Sequence, residues 1–143
     1  MNEAIGIKGK LKIELIRDGK VIQEENVSNI IVTAGKSLVA TLVSGSGTPF
    51  SHMAIGTGST TEVVANTALG SETGRVTLTS KVATNNVIAY IGDFPAGTGT
   101  GTITEAGILN ASSAGTMLNR ATFSSVNKTA SDALKITWSV TLG

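Results

Sequence analysis

From Leu134 to Leu142 the chain alternates without a break. Leu134, Ile136, Trp138, Val140 and Leu142 fall on one side of an extended backbone, and Lys135, Thr137, Ser139 and Thr141 on the other. Successive strand residues point to opposite faces, so this period of two describes a strand with one face in a core and the other in solvent. A surface helix would instead need apolar residues three and four apart. The pattern recurs near the start, where Ile7, Gly9, Leu11, Ile13 and Leu15 oppose Lys8, Lys10, Lys12 and Glu14. Asp18-Gly19 follows, a pair that accepts positive φ, so Val21 to Val32 is expected to return as the second arm of a hairpin.

Further short runs extend the pattern: Met53 to Ile55, Arg75 to Val82, Val87 to Phe94 after a turn at Asn85-Asn86, Ile103 to Leu109, and Thr116 to Phe123. With the ends, this makes about eight strands, the spacing of an all-β sandwich or a jelly-roll-like fold. One short helix interrupts it. Leu38, Val39, Leu42 and Val43 recur at helical spacing between Thr33, the expected N-cap, and Ser44-Gly45-Ser46-Gly47. The helix is expected to cover an open end of the sandwich. A length of 143 residues fits one domain spanning 1–143, with 1–16 as an extended N-terminal arm or edge strand. Hydrophobic residues make up 41% but aromatics only 3%, so Val, Ile, Leu and Ala must build most of the core.

Charge narrows the partners. Eleven Lys and Arg against 10 Asp and Glu leave no global field to favour nucleic acid or an acidic membrane. No apolar run approaches the ~20 residues that span a bilayer, and the first residues lack the pattern of a secretory signal. We therefore expect no nucleic-acid partner, no membrane partner and synthesis in the cytoplasm. The absence of cysteine removes disulfides and thiolate metal ligands.

Several constellations imitate chemistry. Gly35-Lys36-Ser37 opens the helix, but a P-loop needs a glycine five residues before Gly35, where Ile30 stands. Gly97-Thr98-Gly99-Thr100-Gly101-Thr102 completes no dinucleotide-binding frame, because Thr102 and Thr104 occupy the third glycine positions. Ser51-His52 pairs a hydroxyl with the only imidazole; if both lie on a strand they point to opposite faces, so activation of Ser51 is not expected. One histidine without cysteine is a poor start for a zinc site. We expect no catalytic, cofactor-binding or metal-ligating residues, and no cofactor. The period-2 lysines Lys8, Lys10 and Lys12 read two ways, as guards of an outer strand against edge pairing or as contacts for an acidic protein surface.

Asn29-Ile30-Ile31-Val32-Thr33-Ala34-Gly35, His52-Met53-Ala54-Ile55-Gly56-Thr57-Gly58, Ala68-Leu69-Gly70-Ser71-Glu72 to Arg75, and Ile103-Thr104-Glu105-Ala106-Gly107-Ile108 resemble phrases of tailed-bacteriophage virion structural proteins. In order and spacing, the resemblance covers nearly the whole chain. It implies a non-enzymatic structural protein of the particle, a class that includes head decoration (cement) proteins as well as fibre and tail components. A compact single domain without a coiled-coil or repeat-bearing shaft favours a decoration protein of the capsid surface, binding the major capsid protein and other copies of itself, as dimer or trimer. Its alternative is a tail or head fibre module that binds a receptor or carbohydrate. On the decoration reading the candidate contacts are Lys8, Lys10 and Lys12 in the first strand, with Thr57, Gly58, Gly97, Thr98 and Gly99 in two glycine-rich loops.

Overall fold

The computed structural model describes residues 6–143, and Met1 to Ile5 of the expected N-terminal arm lie outside them. The chain forms an all-β sandwich. Ten strands and one helix follow in order: β1 (Ile7–Arg17), β2 (Lys20–Ser28), β3 (Ile30–Ile31), α1 (Thr33–Val43), β4 (His52–Gly56), β5 (Glu72–Thr77), β6 (Ser80–Thr84), β7 (Val87–Phe94), β8 (Gly101–Leu109), β9 (Met117–Lys128) and β10 (Ala133–Leu142). They make two antiparallel five-stranded sheets, β2-β1-β10-β7-β6 and β3-β9-β8-β4-β5.

The alternation of Leu134 to Leu142 is met from Leu134 to Val140, while Leu142 at the strand end is exposed. Leu134, Ile136, Trp138 and Val140 of β10 pair across from Leu15, Ile13, Leu11 and Gly9 of β1, and all but the glycine belong to the hydrophobic core between the sheets. Asp18 and Gly19 make the two-residue turn, both at positive φ, with Arg17 opposite Lys20.

Four expectations need correction. Residues 7–16 are neither an arm nor an edge, because β1 is flanked by β2 and β10, so its lysines stand on a sheet face. The run from Arg75 to Val82 is two strands in different sheets. Leu78 N–H still donates to Ser51 O (2.9 Å), whereas Thr79 N–H donates to Ile91 O of β7 (2.8 Å), and the switch occurs with no glycine or proline to mark it. Together with the two-residue β3, that split raises the strand count from about eight to ten. Thr33 is the first helical residue, not the N-cap. Val32, fully buried and tied to Leu118 O (3.1 Å), takes the cap position without a side-chain bond, and Thr33 N–H is satisfied by Val64 O (2.8 Å).

Helix α1 closes one end of the sandwich, as expected. Its Leu38, Val39 and Leu42 pack against the core. The opposite end carries the β1–β2, β7–β8 and β9–β10 connections. There Arg17 clasps the buried Asp132 through Nε (2.8 Å) and Nη2 (2.9 Å), while Thr129 N–H donates to the same carboxylate (2.9 Å).

Candidate functional site

The ionisable groups most deeply withdrawn from water lie outside the main core. Ala54, Gly56, Glu105, Gly107 and Arg120 are register partners across β4, β8 and β9, so they share the face of the second sheet turned away from the first. The segment from Thr57 to Ser71, without regular structure, folds back over this face as a roof. Its Leu69 joins Val32, Ala54, Leu109 and Met117 in a second, smaller apolar cluster. A strand shift between Ile103 and Glu105 lets Ile103 serve the main core while Glu105 turns under the roof.

Glu105 is fully buried and both its oxygens are doubly used. Oε2 accepts from the backbone N–H of Gly58 (2.7 Å) and of Ser71 (2.7 Å); Oε1 accepts from Gly70 N–H (2.7 Å) and from Arg120 Nε (3.1 Å). Arg120, 1% exposed, also donates through Nη1 to Asn66 Oδ1 (3.1 Å), and Asn66 Oδ1 accepts Val63 N–H (2.9 Å). Thr104 Oγ1 donates to Gly58 O (2.9 Å) and Thr57 N–H to Ser71 O (2.9 Å). One carboxylate thus pins both ends of the roof. Gly58 is required by this closeness, since a Cβ there would sit 2.8 Å from Glu105 Cδ.

Burial alone would push the Glu105 carboxyl up, but the donors from Gly70, Ser71, Gly58 and Arg120 together hold it below its ordinary value of 4.5. At Asp132 the Arg17 guanidinium, then the Thr129 N–H, hold the carboxyl far below 3.8. Both folded values are depressed, so both groups stabilise fully above their unfolded values and lose that contribution as pH falls. The melting temperature is expected to hold from pH 7 to 5 and to fall steadily once pH drops below about 4.5, where these carboxyls in the unfolded chain take up protons that the folded chain still excludes. Differential scanning calorimetry across pH 2–7 checks this; a melting temperature independent of pH down to 3 contradicts it.

His52 corrects another expectation. Ser51 precedes β4 and is not bound by the strand alternation, so its Oγ lies 2.8 Å from His52 Nδ1, and Thr77 Oγ1 is 3.4 Å from Nε2. Both ring nitrogens face hydroxyls. The carboxylate that orients the imidazole of a hydrolase triad is not among their hydrogen-bond partners in the described residues. Nor do the described residues hold a group of three His, Cys, Asp or Glu placed to bind a metal ion. No helix among them is long and apolar enough to cross a membrane.

The sequence-derived contacts divide between two regions. Lys8, Lys10 and Lys12 are exposed on the outer face of the first sheet. Thr57 and Gly97 are exposed at the far end, where Gly58 and Thr98 are half-buried and Gly99 is buried against Ile55 and Gly74. The two loops approach each other: a Cβ on Gly101 would lie 3.9 Å from the Thr57 methyl. Lys8 is not brought to them, because seven strand positions, roughly 20–25 Å, separate it from Leu15 at that end. Glu105 and Arg120 escaped the sequence reading. Their trace was a pair of opposite charges, each set inside an apolar strand run, on strands adjacent in sequence.

No protein-family model, no curated protein and no solved structure matches the chain.

Proposed function

We propose that the chain is a non-enzymatic virion structural protein, a capsid decoration protein that binds the outside of a tailed-phage head shell and stabilises it. The phrases resembling phage virion proteins point to the particle. The observation that carries the docking role is the outer face of β1, β2 and β10, where Lys8, Lys10 and Lys12 stand among Asn26, Ser28, Thr137, Ser139 and Thr141 as a polar face built on a rigid sheet. Among the described residues the one deeply buried ion pair, Glu105–Arg120, serves the protein's own roof. Binding of many copies to the assembled shell, and not to its dissociated subunits, stabilises it by mass action.

The fibre or carbohydrate-binding alternative asks for an exposed aromatic platform. Trp138, Tyr90, Phe50 and Phe94 are buried and Phe123 is half-buried, so no observation favours it. Locating the chain on the particle tests the proposal. Density for the sandwich on the outer surface of the head is expected; density confined to the tail overturns it.

A further inference from the structure

Resting on that docking role, we propose that the trough between β1, β2 and β10 is the binding site for an extended acidic segment of the partner protein, with carboxylates at alternate residues. Two hollows lie along this face. One, about 420 Å³, is bounded by Lys10, Lys12, Asn26, Ser28, Thr137 and Ser139. The next, about 390 Å³, shares Lys10, Ser28 and Ser139 with it and runs on past Lys8 and Thr141. The floor is made of small hydroxyl side chains because the register sets Ser28 and Ser139 on either side of Lys10, Thr137 beside Lys12 and Thr141 beside Lys8.

Period and charge select the occupant. Lys8, Lys10 and Lys12 repeat every second residue of a strand, about 7 Å apart, which is the spacing of alternate side chains on another extended chain. Among the described residues Lys8 and Lys10 have no carboxylate within ion-pair reach, and Lys12 has only the loose contacts to Glu14 and Glu24, each at 3.8 Å. Those two glutamates close the trough at its Lys12 end and repel a further acid there, so the segment's carboxylates belong over Lys8 and Lys10. Hydroxyls between the cations supply donors and acceptors for the partner's polar side chains. A single-stranded nucleic acid offers a similar charge spacing, but its affinity leans on stacking against exposed aromatics, and of this chain's five, four are buried and Phe123 is half-buried.

The full-length chain is titrated at low salt with three labelled probes: a peptide with Glu at alternate positions, a peptide of the same composition with its glutamates contiguous, and an oligothymidylate. The alternating peptide is expected to bind about tenfold more tightly than the contiguous one, a difference of about 1.4 kcal/mol. The variant Lys8→Gln/Lys10→Gln is expected to lose that preference with an unchanged melting temperature. Equal affinity for the two peptides, tighter binding of the oligonucleotide, or a variant that binds like the parent overturns the proposal. The docking role is judged separately on heads. A chain that prefers the alternating peptide but does not occupy heads removes the capsid reading and keeps the trough; full head occupancy by the double variant rejects the trough as the shell contact.

Discussion

Glu105→Gln is expected to destabilise the fold by about 3–5 kcal/mol, the range for removing one partner of a buried ion pair. For a domain of this size that is a fall in melting temperature of about 10–20 °C. The substitution preserves shape and fails on hydrogen bonding. Each oxygen of Glu105 accepts two donors, so the amide nitrogen of glutamine faces two N–H groups whichever way it is turned. Arg120→Met is expected to be milder, because Glu105 keeps the three backbone donors of the roof. Replacing both by apolar residues does not rescue the loop, since Gly58, Gly70 and Ser71 still lose their acceptor. Hydrogen exchange separates this from general loosening: in the parent the amides of Gly58, Gly70 and Ser71 are protected together, and in Glu105→Gln they exchange together ahead of β10. A melting temperature within 3 °C of the parent would contradict the pinning role.

Gly9→Ala is the second large effect expected. Gly9 lies on the inward face of β1, and Asn29 uses the space above it to reach the core, where Asn29 Oδ1 accepts from Trp138 Nε1 (2.5 Å). A Cβ on Gly9 would stand 2.9 Å from Asn29 Cγ and 3.0 Å from its Nδ2. Asn29 must then withdraw and leave the fully buried indole without an acceptor, a loss of about 1–3 kcal/mol before any strain is counted. Because Trp138 is the only tryptophan, its fluorescence reports the site directly. The expected result is a shifted emission maximum with a melting temperature lowered by about 5–10 °C. Unchanged emission would mean that Asn29 still reaches the indole.

Most of the sandwich was legible because its strands are half-buried, and half-burial writes itself as alternation. The β10 pattern and the Asp18-Gly19 hairpin are local properties of residues and backbone. What escaped depends on distant segments. Nothing local distinguishes Leu78-Thr79 inside one strand from the same residues crossing between sheets. Glu105 was hidden for a related reason: alternation alone sets it on the same side of β8 as Ile103, and only the strand shift between them, with the return of Thr57 to Ser71 over the other face, makes it a buried acid outside the main core. Ser51 was misjudged because the strand begins one residue later, at His52. Between Ser51 and Arg75, Gly58, Gly70 and Ser71 are held by one carboxylate.

The structure also changes how the docking role is to be probed. Deleting Met1 to Lys12 would remove half of an interior strand, so loss of binding in that truncation would report unfolding. Locating the intact chain by cryo-electron microscopy of the particle is the direct measurement. The proposed role expects a ten-stranded sandwich on the outer surface of the head shell, repeated with the shell's symmetry and absent from particles made without the chain. A sandwich found only on the tail, or heads that bind none of the added purified chain, would contradict it.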